Sequence, residues 1–446
     1  MPESIPHVVI LGGGFGGLYA ALELADAPVR VTVVDRRNHH LFQPLLYQVA
    51  SAALNPSDIA SPIRSILGRQ KNTSVVLGEA VSIDPRSRIV RFRRGTEMAF
   101  DYLIVATGAT HSYFGNEEWE KWAPGLKTIE DALEIRRRVL LAFEAAEREE
   151  DPEKRRQWLS FVVVGGGPTG VELAGAFAEI AFHTMRRDFR RIDPSQAKIT
   201  LIEGLPRVLP SYPEDLSRKA KKQLEKLGVE VRTGELVSAV DAEGVTVGED
   251  RYQARTVVWA AGVQASPLAR CLGVELDKAG RVLVEKDLSV PGWPEIFIAG
   301  DLAASKQEDG SIVPGVAPAA IQMGRHAAVS IVREVGGKDR PSFRYRDKGS
   351  LATIGRAAAV ADFGRLHMGG WIAWVAWLVI HVFFLIGFRN RLFVISQWAW
   401  AYLTRKRGAR LITGDSAAEL GLTADDTAAR LGEAGAGKNS KEKQPT

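Results

Sequence analysis

The chain has a single cysteine, Cys271, among 446 residues. It therefore holds no internal disulfide and no Cys-x-x-Cys pair, and a dithiol redox relay is excluded. Cys271 by itself reads as a small core residue. No Cys/His group has metal-ligand spacing, so no metal is expected. A secretory leader is also lacking: the opening Met1 to His7 is short and polar, which predicts a chain that stays in the cytoplasm. A large excess of one sign of charge is lacking as well. Lys and Arg exceed Asp and Glu by only five. That excess favours anionic partners without choosing among them, so the placement of the basic residues has to decide.

What is present is glycine in a pattern. Val8 to Leu11 is an apolar run fit for a buried parallel strand, followed by a glycine-rich turn, a helix, and a second strand, Val31 to Asp35. A further strand, Tyr102 to Val105, runs into Ala106-Thr107-Gly108. The pattern then restarts. Phe161 to Val164 leads into Gly165 to Gly170 and a helix, Lys198 to Glu203 follows, and Val257 to Trp259 ends in Ala260-Ala261-Gly262. Glu295 to Ile298, closing on Ala299-Gly300-Asp301, would complete the first unit. The fold class is therefore α/β, with two Rossmann-like dinucleotide-binding domains, the second inserted in the first.

Each turn is a G-x-G-x-x-G fingerprint between a strand and a helix: Gly12, Gly14 and Gly17, then Gly165, Gly167 and Gly170. The first glycine permits the turn, the second admits a pyrophosphate, and the third lets helix pack on strand. The helix N-terminus then faces the phosphates. Asp35 and Glu203 close the second strands about where an acid accepts hydrogen bonds from a ribose diol. Glu203 favours NADH over NADPH, and the nearby Arg207 could blunt that preference. Two cradles imply two dinucleotides, a resident FAD and a visiting nicotinamide nucleotide.

Further segments narrow the identity. They are His40-Leu-Phe-Gln-Pro-Leu-Leu-Tyr-Gln-Val-Ala50, Trp259-Ala-Ala-Gly-Val263, Pro314-Gly-Val-Ala-Pro-Ala-Ala-Ile-Gln322 and Asp347-Lys-Gly-Ser-Leu-Ala-Thr-Ile-Gly-Arg356. On these residues the chain, from about Pro6 to Ile412, resembles the type II NADH:quinone oxidoreductases. The resemblance implies NADH oxidation on non-covalent FAD and two-electron reduction of a membrane quinone, without proton pumping. It places Gly12, Gly14, Phe15, Gly16, Gly17, Asp35, Arg36, Ala106, Thr107, Gly108, Gly300, Asp301 and Ala317 on FAD. Gly165, Gly167, Pro168, Thr169, Gly170, Glu172, Glu203, Ala261 and Gly262 fall to NADH. Tyr47, Gln48, Pro318 and Gln322 line the quinone, with Glu172, Gln322 and Gln48 nearest the chemistry. The family's Ala-Gln-x-x-x-Gln pattern reads Ala317-Pro318-x-x-x-Gln322 here, so one expected quinone contact is missing and Gln322 is left to face the flavin. From the residues alone, Glu172 also reads as a helix-dipole acid, and Gln48 and Gln322 as packing residues.

The remaining feature is an apolar, Trp-rich run, Gly369 to Phe388. As one helix it would be about 30 Å long, enough to span a bilayer core. Trp371, Trp374, Leu378 and His381 would share a face. Both flanks are basic, however: Arg344, Arg346, Lys348, Arg356 and Arg365 before, and Arg389, Arg391, Arg405, Lys406, Arg407 and Arg410 after. The next apolar stretch, Leu392 to Leu403, is too short to return. Two helices lying in one leaflet, their basic residues on anionic headgroups, fit better than a single span at 369–388. That predicts a peripheral protein on the cytoplasmic face of the membrane.

The expected domains are 1–120 (FAD, first part), 121–285 (NADH), 286–345 (FAD, second part), 346–412 (membrane association) and 413–446 (a polar tail, disordered from 432). Partners are membrane lipid and quinone, with no nucleic acid and a homodimer left open. The rival readings are an NADH-dependent reductase of a small electron-carrier protein and a membrane-bound flavin redox sensor.

Overall fold

The computed structural model describes residues 5–386, 388–404 and 407–413. Only the elements that frame the site are numbered below. In the first unit, β1 (His7–Leu11), α1 (Phe15–Glu23), β2 (Arg30–Asp35), α2 (Leu46–Ala50), β3 (Thr73–Leu77) and β4 (Tyr102–Val105) come first. A short strand, β5 (Ala109–His111), then carries the chain out. The second unit holds α3 (Ile129–Arg148), β6 (Ser160–Val164), α4 (Pro168–Glu179), β7 (Lys198–Glu203), β8 (Val229–Thr233) and β9 (Thr256–Trp259). The chain returns through β10 (Val263–Ala265), which pairs antiparallel with β5. β11 (Ser289–Val290), β12 (Trp293–Ile298) and α5 (Ala317–Val335) complete the first unit.

The first sheet runs β11-β12-β4-β1-β2-β3 and the second β8-β7-β6-β9. In both, the glycine-bearing strand lies between the strand ending in the acid and a strand reached later. That is a topological switch point, where open α/β sheets bind ligands beyond their carboxyl ends. The central strands of the first sheet are buried under α1 and α5, with Ile83, Val90 and Phe92 of an antiparallel sheet in the same core; β1 reads as five consecutive buried residues.

The β5/β10 ribbon moves the expected boundaries. Tyr113, Trp119 and Ala123 already pack with Val164 and Trp259 of the second unit. Ala265, Leu268, Leu272 and Val282 already lie in the first unit's core. The chain thus crosses at 109–111 and 263–265, earlier than 120 and 285. Cys271 is half-buried at the edge of that core.

The C-terminal region adds a small sheet, β13 (Ser350–Gly355), β14 (Ala358–Asp362) and β15 (His367–Gly369), then α6 (Trp371–Phe384) and α7 (Phe388–Thr404). The sheet sits directly on α4. A Cβ on Gly175 would lie 1.6 Å from the Ile354 carbonyl oxygen, so only glycine allows this approach. The apolar run is therefore two helices, broken at Leu385, whose backbone turns extended. No helix among the described residues is long and apolar enough to cross a membrane. The tail from 414, including the stretch expected to be disordered, lies outside the described residues.

Candidate functional site

The two cradles are built alike, bond for bond. Gly12 N–H donates to Val34 O and Gly165 N–H to Ile202 O, at 2.8 and 2.7 Å. Both glycines take positive φ, 103° and 108°. A Cβ on Gly17 would sit 1.8 Å from Gly12 O, and one on Gly170 would sit 1.8 Å from Gly165 O. The acids repeat the pattern. Asp35 accepts from Gly13 N–H at 2.6 Å and Arg37 N–H at 2.7 Å. Glu203 accepts from Gly166 N–H at 2.5 Å and Leu205 N–H at 2.7 Å. Each carboxylate oxygen keeps a lone pair for a ribose hydroxyl.

The middle glycines differ from their neighbours. At Gly14 and Gly167 an added Cβ would meet nothing within 4 Å. Both are N-caps with extended backbone, and neither helix has a side-chain cap. Open space at an uncapped helix N-terminus is what a pyrophosphate requires. In the first cradle, Thr107 Oγ1 is buried without a partner, as is His40 Nε2, whose Nδ1 bonds to Gly13 O at 2.9 Å. These unmet groups fit a large polar ligand such as FAD. Ala106 and Gly108 flank Thr107, and a Cβ on Gly12 would meet Ala106 O at 2.4 Å. Gly16 packs towards Ala299 and Ala106, while Arg36 is exposed at the rim. Gly300 and Asp301 form a short turn after β12, and Ala317 and Pro318 begin α5, where proline's missing N–H is harmless.

The matching family models are pyridine nucleotide-disulphide oxidoreductase over residues 6–324 and the NDH2 C-terminal domain over 348–407. A Mycobacterium tuberculosis protein described as type II NADH:quinone oxidoreductase Ndh is 45% identical over 431 residues, 93% of this chain and 92% of that one. A second from that organism, NdhA, is 47% identical over 91% of this chain and 89% of its own length. The chain belongs to the type II NADH:quinone oxidoreductases. Among solved structures, NDH2 from Plasmodium falciparum in complex with NADH superposes with a TM-score of 0.83 at 21% identity, covering 92% of this chain and all of that one; at that identity the likeness speaks for the fold. Membership supports the use of FAD and NADH by this chain.

In this type II oxidoreductase the expected acceptor-side residues divide. Tyr47 and Gln48 are buried on α2, with Gln48 Nε2 donating to Tyr47 Oη at 2.9 Å. Trp398, from α7, donates its indole N–H to Gln48 Oε1 at 2.7 Å. Sequence reading missed Trp398; the available signal was an indole N–H in an apolar run, which needs a partner once buried. Gln322 does not face the flavin side freely. Its amide donates to Arg346 O and accepts from Arg346 N–H, both at 2.9 Å. Residues 343–348 belong to no strand, and this amide pairs both backbone groups of Arg346.

Glu172 lies in the second turn of α4, past the uncapped first turn, which weakens the dipole reading. Its carboxylate accepts from the Thr353 backbone, and burial holds its pKa well above the ordinary 4.5. Tyr47 and Tyr212 are raised too, first by burial and then by Glu172. A ring series runs from the first cradle to the C-terminal helices. Phe15 meets His40 at 5.0 Å and Phe42 at 5.8 Å; Phe42 meets His381 at 6.2 Å. His381 stacks on Trp377 at 4.3 Å, and Trp377 meets Trp398 at 5.3 Å. Burial pushes His381 down to about 4, so it is neutral at pH 7. Its Nδ1 lies 2.7 Å from Trp377 O, so the proton sits on Nδ1 and Nε2 is an acceptor.

Proposed function

We propose that this chain docks on a membrane surface through α6 and α7, draws a quinone between those helices and the first cradle, and reduces it with electrons from NADH. When bound, FAD supplies a ring that takes hydride from NADH and passes two electrons onward. The reaction moves no charge across the membrane. The observation that carries the acceptor reading is the Trp398–Gln48 hydrogen bond, which ties a surface-lying apolar helix to the helix beside the FAD cradle. Gln48, Tyr47 and the Phe15–Phe42–His381 rings supply an apolar path with few polar groups, as quinone-sized pockets have. Burial raises the pKa of Glu172, and its carboxyl group lies within electrostatic reach of Tyr47.

The docking surface follows from how α6 and α7 are folded. On α6, Ala373 and Trp377 face inward, while Trp371, Val375, Val379 and Phe383, spaced by four, are exposed. Trp371 thus parts from the face it was expected to share with Trp374, Leu378 and His381. On α7, Asn390 bonds to Ser61, Gln397 to Asp58 and Trp398 to Gln48 on the inner side. Leu392, Ile395, Trp400 and Leu403 point out. On α7, polar groups point inward beside buried Val394 while large apolar groups point outward, a pattern that suits an interfacial helix. The basic flank is smaller than expected. Arg407 is spent on Ser51 O and Glu179, and Arg410 on Asp188. Arg356 lies 4.0 Å over the Tyr402 ring. Arg405 and Lys406 lie outside the described residues. Arg346, Lys348 and Arg365 are exposed, the last beside exposed Leu366, and remain as cations for headgroups.

The decisive experiment is anaerobic bleaching of the yellow protein by NADH, then steady-state NADH oxidation with a soluble quinone analogue. Fast turnover supports the acceptor. Bleaching without quinone turnover would overturn it and favour a protein acceptor or a sensor. Docking has its own check: Val379→Glu with Phe383→Glu should shift the protein from sedimenting with anionic vesicles to the supernatant, while turnover with the soluble quinone persists. Sedimentation equal to that of the unaltered protein would remove α6 from the docking surface.

A further inference from the structure

Phe114 stands out because three observations at one place are hard to reconcile with a plain loop residue. It is an exposed aromatic, 68% accessible. Its φ is +55°, a conformation that bulky side chains rarely adopt. Its ring also crowds Gly262 of the second cradle: a Cβ there would come within 2.6 Å of Phe114 Cζ.

The backbone conformation is imposed from outside. Tyr113 to Asn116 form a turn closed by Asn116 N–H to Tyr113 O at 3.1 Å, with Phe114 and Gly115 both at positive φ in the centre. Such turns ordinarily carry Asn, Asp or Gly at the first central position. Both sides are pinned. Tyr113 Oη donates to Ala123 O at 2.9 Å and its ring stacks on Trp259 at 5.3 Å. Trp259 Nε1 donates to Ser112 O at 2.9 Å. The chain therefore holds an unfavourable conformation while leaving most of the ring exposed, its centroid 6.4 Å from that of the Trp259 ring. Strain kept by over-determined surroundings marks a residue with a task.

The location says which task. Glu203, at the end of β7, sits on the adenosine side of the second cradle, and the dinucleotide crosses the switch point towards β9. Ala260 to Gly262 follow β9, so they border the nicotinamide side. A Cβ on Gly165 would touch the Ala260 carbonyl carbon at 2.6 Å, which joins that border to the phosphate turn. Val263, the next residue, is also exposed. Phe114 and Val263 thus form an apolar edge on the half of the site where an uncharged dihydronicotinamide has to lie.

We propose that Phe114 is a positioning residue for the nicotinamide riboside of NADH, its ring covering the Gly262 edge so that the dihydronicotinamide is held towards the first cradle. The proposal rests on the second cradle being the NADH site. Hydride transfer requires near-contact placement, so a loose ring costs rate as well as affinity.

The test uses two variants of the FAD-loaded protein. Phe114→Asn removes the ring but suits the positive φ, so its melting temperature should not fall. Phe114→Tyr keeps the ring. For Phe114→Asn, the NADH concentration giving half-maximal flavin bleaching should rise about three- to tenfold, the worth of one aromatic contact, and the limiting bleaching rate should drop. The KM for the quinone analogue should not move, and Phe114→Tyr should restore both NADH parameters. Unaltered half-saturation and limiting rate in a stable Phe114→Asn protein would overturn the proposal. So would equal losses in both variants, which would mark a purely structural turn. Failure of the underlying reading looks different: Gly167→Ala would be bleached by NADH as readily as the unaltered protein.

Discussion

Gly14→Ala should give a folded, colourless protein, and Gly167→Ala a folded yellow one that NADH reduces poorly. The reasoning is geometric. Neither glycine needs its special backbone freedom, since both have φ of −70° and extended ψ. A methyl group at either position touches nothing in the chain. Only a ligand would feel it, because the pyrophosphate must approach the backbone at that point. For Gly14→Ala the flavin-to-protein ratio should collapse while the melting curve of the flavin-free protein matches that of unaltered protein stripped of flavin. For Gly167→Ala the flavin should remain, and the efficiency of bleaching by NADH should fall about a hundredfold, the scale of an ångström-sized misplacement. Gly17→Ala and Gly170→Ala are the contrast. There a methyl group would stand 1.8 Å from a carbonyl oxygen of the same turn, so those variants should lose stability rather than ligand alone. A yellow, fully reducible Gly167→Ala protein would show that the second cradle is not where the nucleotide's phosphates lie.

NADPH should be a poor substrate, with kcat/KM lower than for NADH by about a hundredfold or more, as expected when like charges are forced together. Glu203 is fixed by Gly166 and Leu205 N–H groups and cannot swing away from a 2′-phosphate. Arg207, the cation that sequence alone left as a counterweight, is turned aside. Its guanidinium donates to Tyr212 O at 2.7 Å and Pro210 O at 2.8 Å, holding the loop that follows β7. Glu203→Gln should narrow the preference mainly by weakening NADH, since one of its two backbone donors would then face an amide N–H₂. Steady-state rates with both nucleotides settle the matter, and comparable efficiency in the unaltered protein would mean that Arg207 leaves its carbonyls when NADPH binds.

The two cradles were legible because each rests on local sequence. Strand, glycine spacing, helix and terminal acid occur within about forty residues, and hydrophobic runs fix the strands before any long-range contact forms. The same holds for the choice of two interfacial helices over one span, since basic flanks and tryptophans are local features. The acceptor side was less legible. Gln322 and Gln48 are both plain glutamines in sequence, yet one closes a strandless backbone segment and the other bonds an indole 350 residues away. Arg407 and Arg410 read as lipid-facing charges but are consumed by Glu179, Ser51 and Asp188.

What the sequence by itself determined is the presence of two dinucleotide cradles in order, the acid in each and the amphipathic C-terminal region, because backbone turns and periodicity are properties of neighbouring residues. Only the tertiary structure decided which amides and guanidiniums remain available to ligands. It also decided that α7 reaches Gln48, and that a strained Phe114 leans over Gly262. A polar group's partner is set by which distant chain segment packs against it, and no local pattern records that.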